Sequence, residues 1–376
     1  LGASLAGTRL GYSDEKARQR ERELLDAFAA AFRLVESERL DGVLLPGDLF
    51  NGEEVDDALA AEAFAIMGAI APRPVFLAPG NHDPLSPEGP YGAARWRLLA
   101  GGQGPPPNLV LFREEIFRAV PWPGRPEITV AGAAYLRPTP VRDRRLARPL
   151  VAPGGLDPGR LRLALLHGSR DDNAFVPPGK ATLPFSAAEL AAQPFDYTAV
   201  GHYHASAPIL HPQTRAVIGA YSGMPAFLGL DEEGDKHVLV VEAALTREPE
   251  RRCAVRVERR SVDPRRLHRL AVDLSGRLDL EQALAALAQA CDGCVPPVAA
   301  ADVVAVTLHG RLAPDLDRRQ VAEAVTAWLA ERCFHAVVFG GALEPELDIR
   351  PYLEGDARTL EARFARELQA EIERRP

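Results

Sequence analysis

The chain has 376 residues, 47% of them hydrophobic and 26% charged, with a formal net charge of −8. That length allows about two domains with separate cores, and no apolar run approaches the ~18–20 residues that cross a bilayer. The first segment lacks a secretory n-region and h-region, so the expectation is a cytoplasmic protein with no membrane role. The acidic balance speaks against a dedicated nucleic-acid surface, although a local basic stripe remains compatible with it.

In chain order, Asp14 to Glu38 carries Leu24, Leu25, Phe28, Phe32 and Leu34 at helical spacing among Arg and Glu, which predicts a helix. Gly42-Val43-Leu44-Leu45-Pro46 predicts a short strand buried on both faces, ending at Gly47-Asp48. A helix over about 57–70 leads to a strand at Val75–Ala78, which ends in Pro79-Gly80-Asn81-His82-Asp83. Gly101 to Asn108 predicts a surface loop, and Ile128 to Ala133 a further strand. Arg142, Arg144, Arg145 and Arg148 form either a basic stripe or a solvated loop. Two more apolar runs, Leu161 to Leu166 and Tyr197 to Val200, also end in histidine, at His167 and at Gly201-His202.

Near Glu248 the pattern changes. Val255–Arg259 and Leu270–Leu274 alternate as half-exposed strands. A helix at about 279–290, a strand at 303–308, a helix at about 318–331 and a strand at 336–339 follow, predicting a small appended α+β domain. The cysteines Cys253, Cys291, Cys294 and Cys333 contain one close pair, where a structural zinc site needs two, so reduced thiols are expected. Residues 355–374 predict an amphipathic helix with a stripe of Leu360, Phe364, Leu368 and Ile372. That stripe is expected to dock on the chain's own body, a partner helix being the alternative. The expected divisions are 1–247, 248–350 and 351–376.

Polar residues thus gather at the carboxyl ends of buried strands, where open α/β sheets build their sites. The set is Asp48, Asn81, His82, His167, His202 and His204, four of the chain's nine histidines included. Imidazole, carboxylate and amide oxygen together suit Mn, Fe or Zn. Two such ions about 3.5–4 Å apart can share a bridging carboxylate and activate water.

Gly47-Asp48-Leu49-Phe50, Gly80-Asn81-His82-Asp83, His167 after its strand, and Gly201-His202-Tyr203-His204 resemble, in order, the motifs of the calcineurin-like metallophosphoesterases. The resemblance implies their layered α/β fold, with central sheets flanked by helices and a smaller C-terminal α+β capping domain. It also implies roles. Asp48 would bridge two divalent ions, expected to be Mn2+; Asn81, His167 and His202 would hold one of them, and His204 the other. His82 would be the catalytic imidazole, and Asp83 either holds its tautomer or forms the turn. The family's first motif, Asp-x-His, does not occur before Asp48. The chain opens on Leu1-Gly2, so the expectation is that residues upstream carry that motif, a degenerate site being the alternative.

Gly47-Asp48-Leu49-Phe50, the Ile218–Pro225 segment, Asp83-Pro84-Leu85 and the appended domain resemble the SbcD-type DNA exonuclease group, YhaO-like members in particular. This implies DNA as substrate, 3′-to-5′ exonuclease and possible endonuclease action in repair, an SMC-like ATPase partner and a homodimer. No Gly-x-x-x-x-Gly-Lys-Ser/Thr loop is present, so ATP hydrolysis would belong to the partner. Asn51 stands where some repair nucleases carry a phosphate-contacting histidine, and is the candidate substrate contact. A small phosphoester as substrate, or a binding module without catalysis, are the alternatives.

Overall fold

A computed structural model describes residues 1–93, 95–96, 104–137, 156–171, 181–247, 252–345, 350–354 and 358–374. The arginines at 142–148 lie outside these. Two compact units divide after Arg266. The expected boundary near 248 therefore moves, because β11 (Cys253–Ser261) pairs antiparallel with β10 (His237–Leu245) along nine residues. That ladder keeps β11 with the first unit.

In the first unit, α1 (Asp14–Ser37) starts where the Ser13 side chain accepts from Lys16 N at 3.4 Å, with Asp14 and Glu15 in its first turn. Its apolar stripe, Leu25, Phe28, Phe32 and Val35, is buried. The helix α2 (Asp57–Ala69) is capped by Asp56, which accepts from Leu59 N at 3.0 Å. Arg20 of α1 is fully buried and donates to Asp263 at 2.8 and 2.5 Å; Arg265 reaches Glu23 of the same helix at 2.6 Å.

Three short strands, β1 (Val43–Leu45), β2 (Val75–Leu77) and β3 (Leu109–Leu111), form one parallel sheet in that order. β2 is wholly buried, whereas β1 is only half-buried. The sequence predicts full burial there. Among the described residues β1 pairs on one side only, and its other side lines a cavity of about 1360 Å³. The second sheet runs β4 (Arg118–Trp122), β5 (Arg125–Gly132), β6 (Leu161–His167), β7 (Tyr197–Gly201), β9 (Val217–Tyr221), β8 (Ala207–Leu210). Its strands β5, β6, β7 and β9 are parallel, and α3 (Ala187–Ala191) begins in a capping box between Ser186 and Glu189. The turns after β1, β2, β6 and β7 carry the site, because parallel neighbours bring their carboxyl ends to one rim.

The second unit alternates strand and helix: β12 (Leu267–Asp273), α4 (Leu280–Asp292), β13 (Val303–Leu312), α5 (Arg318–Ala330), β14 (His335–Pro345). All three strands are parallel. Val304, Val306 and Leu308 meet Leu287, Val321, Val325 and Leu329 in its core, which also takes in Cys291 and Cys333. After α6 (Arg350–Glu354), the tail helix α7 runs from Leu360 to Arg374. Its start lies five residues later than predicted, where Thr359 Oγ1 caps Ala362 N at 3.2 Å. The expected docking of the apolar stripe on the chain's own body is not what forms. Ala362 and Ala365 are buried instead, leaving Leu360, Phe364 and Ile372 at 78%, 65% and 59% exposure. Small residues let the helix backbone approach closely; the larger ones face outward. No described helix is long and apolar enough to cross a membrane.

Candidate metal centre

The turn after β1 is held in a tight backbone form, with φ of +89° at Gly47 and +54° at Asp48. A non-glycine residue persists there only when its surroundings over-determine it. The enforcing group is Asp83. It is fully buried and accepts from Asp48 N (3.0 Å), Phe50 N (3.2 Å), Gly80 N (2.8 Å) and Tyr91 Oη (2.6 Å). Asp83 thus joins the turns after β1 and β2. Both of its oxygens are engaged by these four donors, none of them on the His82 ring. Burial, then the nearby Asp48 charge, raises its carboxyl above the usual value. Burial and Asp83 push the Tyr91 phenol well up, keeping it a donor. Gly80 is required by proximity: a Cβ there would lie 2.5 Å from Asp48 N.

Asp48, His167 and His202 bring one potential ligand atom each within 4.8 Å of one another. The fully buried His167 side chain faces Pro46 O with Nδ1 at 2.8 Å; a carbonyl only accepts, so Nδ1 carries a proton. Its Nε2 then faces Asn81 Oδ1 at 3.0 Å and Asp48 Oδ2 at 3.2 Å. Two acceptors and a ring lone pair converge on one point, an arrangement that calls for positive charge. A proton on Nε2 can supply it: burial lowers the His167 pKa, but Asp48 outweighs burial and raises it. A divalent ion can supply it too, and would also engage His202. Burial and then His167 bring His202 down to about 4, leaving its imidazole neutral and able to donate a lone pair. Burial would raise Asp48, but His167 and the His82 N–H bond overrule it and bring it to about 2. Donor set, charge and convergence fit a divalent cation.

His202 sits at φ +101°, the second strained position of the site. Its ring packs edge-on against His167 with centroids 5.3 Å apart. The exposed His82 donates its backbone N–H to Asp48 Oδ1 at 2.9 Å and lines the cavity together with Asn51, His202 and His204. Asn51 itself is exposed, its N–H held by Leu1 O at 2.8 Å. His204 stands outside the tight Asp48–His167–His202 group. Its Nδ1 lies 2.5 Å from Glu232 Oε1.

Four residues that sequence reasoning left without a site role support this rim. Tyr91 locks Asp83. Tyr135 donates to His167 O at 3.1 Å, and the buried Tyr221 of the Ile218–Pro225 segment donates to Gly168 O at 2.8 Å. Glu232 holds His204. Tyr221 was visible as part of a recognisable segment, whereas Glu232 lies 28 residues from its partner with no local signal. Residues 21–206 hold every one of the strand-end groups and match the family model of calcineurin-like phosphoesterases. The match supports a calcineurin-like phosphoesterase domain over residues 21–206, a family whose chemistry is metal-dependent hydrolysis of phosphoesters.

Proposed function

We propose that this protein is a two-metal, Mn2+-dependent phosphodiesterase of the SbcD-type group that degrades DNA from 3′ ends, with endonuclease action possible on the same site. The observation that carries the metal reading is the convergence of Asn81 Oδ1, Asp48 Oδ2 and the His167 ring on one point beside a neutral His202. Asp48, Asn81, His167 and His202 would hold one ion, with Asp48 shared and His204 on the second. Bound divalent ions supply an activated water and neutralise charge on the phosphoryl oxygens. The chain's own contribution is orientation. Asp83 and Tyr91 fix Asp48, Pro46 fixes the His167 ring, and exposed His82 lines the cavity where it can give a proton to the leaving oxygen. Asn51, lining the same cavity, would contact substrate.

The Gly47–Phe50 and Ile218–Pro225 segments and the parallel second unit support DNA as substrate. The exposed stripe of α7 supports docking to a helical partner, for which an SMC-like ATPase is the proposed class; a homodimer and a cytoplasmic site of action complete the reading. The net charge of −8 favours the second reading, a small nucleotide or other phosphoester. Incubation with Mn2+ and linear duplex or single-stranded DNA decides between them. Degradation that falls ~10²–10⁴-fold in His82→Ala, with Mn2+ binding retained, is expected. Intact DNA alongside hydrolysis of a small aryl phosphodiester would support the second reading instead.

A further inference from the structure

Glu232 is 9% exposed, yet it stands at the edge of an open site. One oxygen accepts from Leu228 N at 2.7 Å, and the other meets His204 Nδ1 at 2.5 Å. Its own N–H is tied to Gly229 O at 3.2 Å, so the carboxylate is part of a closed turn. The His204 side chain is 59% exposed and lines the same cavity as Asp48. The His204 carbonyl accepts from Met224 N at 3.1 Å, which fixes the backbone beneath the ring. An exposed ion pair of two free side chains contributes little. Here one partner is buried and anchored by backbone, so the exposed ring takes its orientation from the carboxylate.

We propose that Glu232 is the positioning residue for His204, holding the proton on Nδ1 and leaving Nε2 as the lone-pair donor of the ring. The inference rests on His204 as a ligand of the proposed metal centre. A carboxylate behind a ligating imidazole fixes its tautomer and raises its basicity, and loss of such a partner costs metal affinity. No substrate contact is assigned to Glu232.

The test uses the whole chain with 15N-labelled histidine, metal-free and at alkaline pH, followed by calorimetric titration with Mn2+. In the wild type the His204 ring is expected as the Nδ1-protonated tautomer. Glu232→Ala should release it to a mixture with the Nε2-protonated form, and Mn2+ affinity should fall on the order of 10- to 100-fold. Glu232→Gln keeps an acceptor for Leu228 N and turns its NH2 to the ring, so with the turn intact it should favour the Nε2-protonated form and lose at least as much affinity as Glu232→Ala. Glu232→Asp should recover part of both readouts. Unchanged ring tautomer and unchanged Mn2+ affinity in both Glu232→Ala and Glu232→Gln would overturn the proposal. If the wild type binds no Mn2+, the metal reading fails, and the ring measurement alone decides the positioning role.

Discussion

Replacing Asp83 by Asn removes the charge at the junction of the two ligand-bearing turns and swaps one acceptor oxygen for an NH2 group. In the wild type, Oδ1 serves Asp48 N and Gly80 N, and Oδ2 serves Phe50 N and Tyr91 Oη. With the NH2 turned to the Phe50 side, the Tyr91 hydroxyl can accept from it, so one bond is lost and one buried N–H faces a donor; the reverse orientation loses two. Hydrogen bonds to a charged group contribute ~1.5–3 kcal/mol each, so the orientation that loses one bond sets an expected loss of about 1.5–3 kcal/mol, with weakening of the remaining bonds by loss of the charge added to it. Tyr91→Phe removes a single bond from the same carboxylate, for an expected loss of about 1.5–3 kcal/mol. Urea denaturation gives both values. Calorimetric titration with Mn2+ then reads the site, because the same carboxylate that these changes weaken holds Asp48 at positive φ. Weaker Mn2+ binding is expected in Asp83→Asn, and a milder effect in Tyr91→Phe. If Asp83 instead acted on the His82 ring, Asp83→Asn would lower hydrolysis and leave Mn2+ affinity intact. That outcome, or a stability within 1 kcal/mol of wild type, would refute the reasoning.

Asp263→Ala should destabilise the first unit by ~3–5 kcal/mol in urea, since it takes both bonds of Asp263 from the fully buried Arg20 guanidinium and leaves it Glu23 at 3.2 Å as carboxylate partner; replacing both Arg20 and Asp263 by apolar residues should cost less. Gly80→Ala should weaken Mn2+ binding, because the added methyl displaces Asp48 from its turn, and calorimetry against a Gly341→Ala control, where a Cβ meets nothing within 4 Å, checks it. A pH series should reveal Glu23. Burial would raise its carboxyl, but Arg265 and Arg20 hold it below its ordinary value of 4.5. Its contribution is thus fully present above 4.5 and disappears as the pH falls through the lower folded value. The acid-side fall in Tm should be shallower in Glu23→Gln than in wild type, and an identical fall would exclude that contribution.

Most of the secondary structure was legible because its signals are local. The stripe of α1 and the short apolar runs ending in Gly-Asp, Gly-Asn-His and Gly-His announced both the elements and the rim. Where the prediction departs from the structure, the deciding contact is remote. Nothing near Glu248 reveals that Cys253–Ser261 will pair back onto His237–Leu245 and extend the first unit to Arg266. Nothing in the period of the tail helix says that Ala362 and Ala365 will be buried while Leu360 and Phe364 stay outside.

The same division runs through the site. Sequence by itself determined which side chains stand at the rim, since a buried parallel strand must end at its site face and the motif residues follow directly. Only the tertiary structure decided what those side chains do to one another. Asp83 is adjacent to His82 in sequence, yet its four partners lie on three different turns. Glu232 is remote from His204 in sequence, yet its carboxylate lies against the ring. Hydrogen bonds depend on distances of about 3 Å between atoms brought together by packing, and chain neighbours in an extended turn point apart.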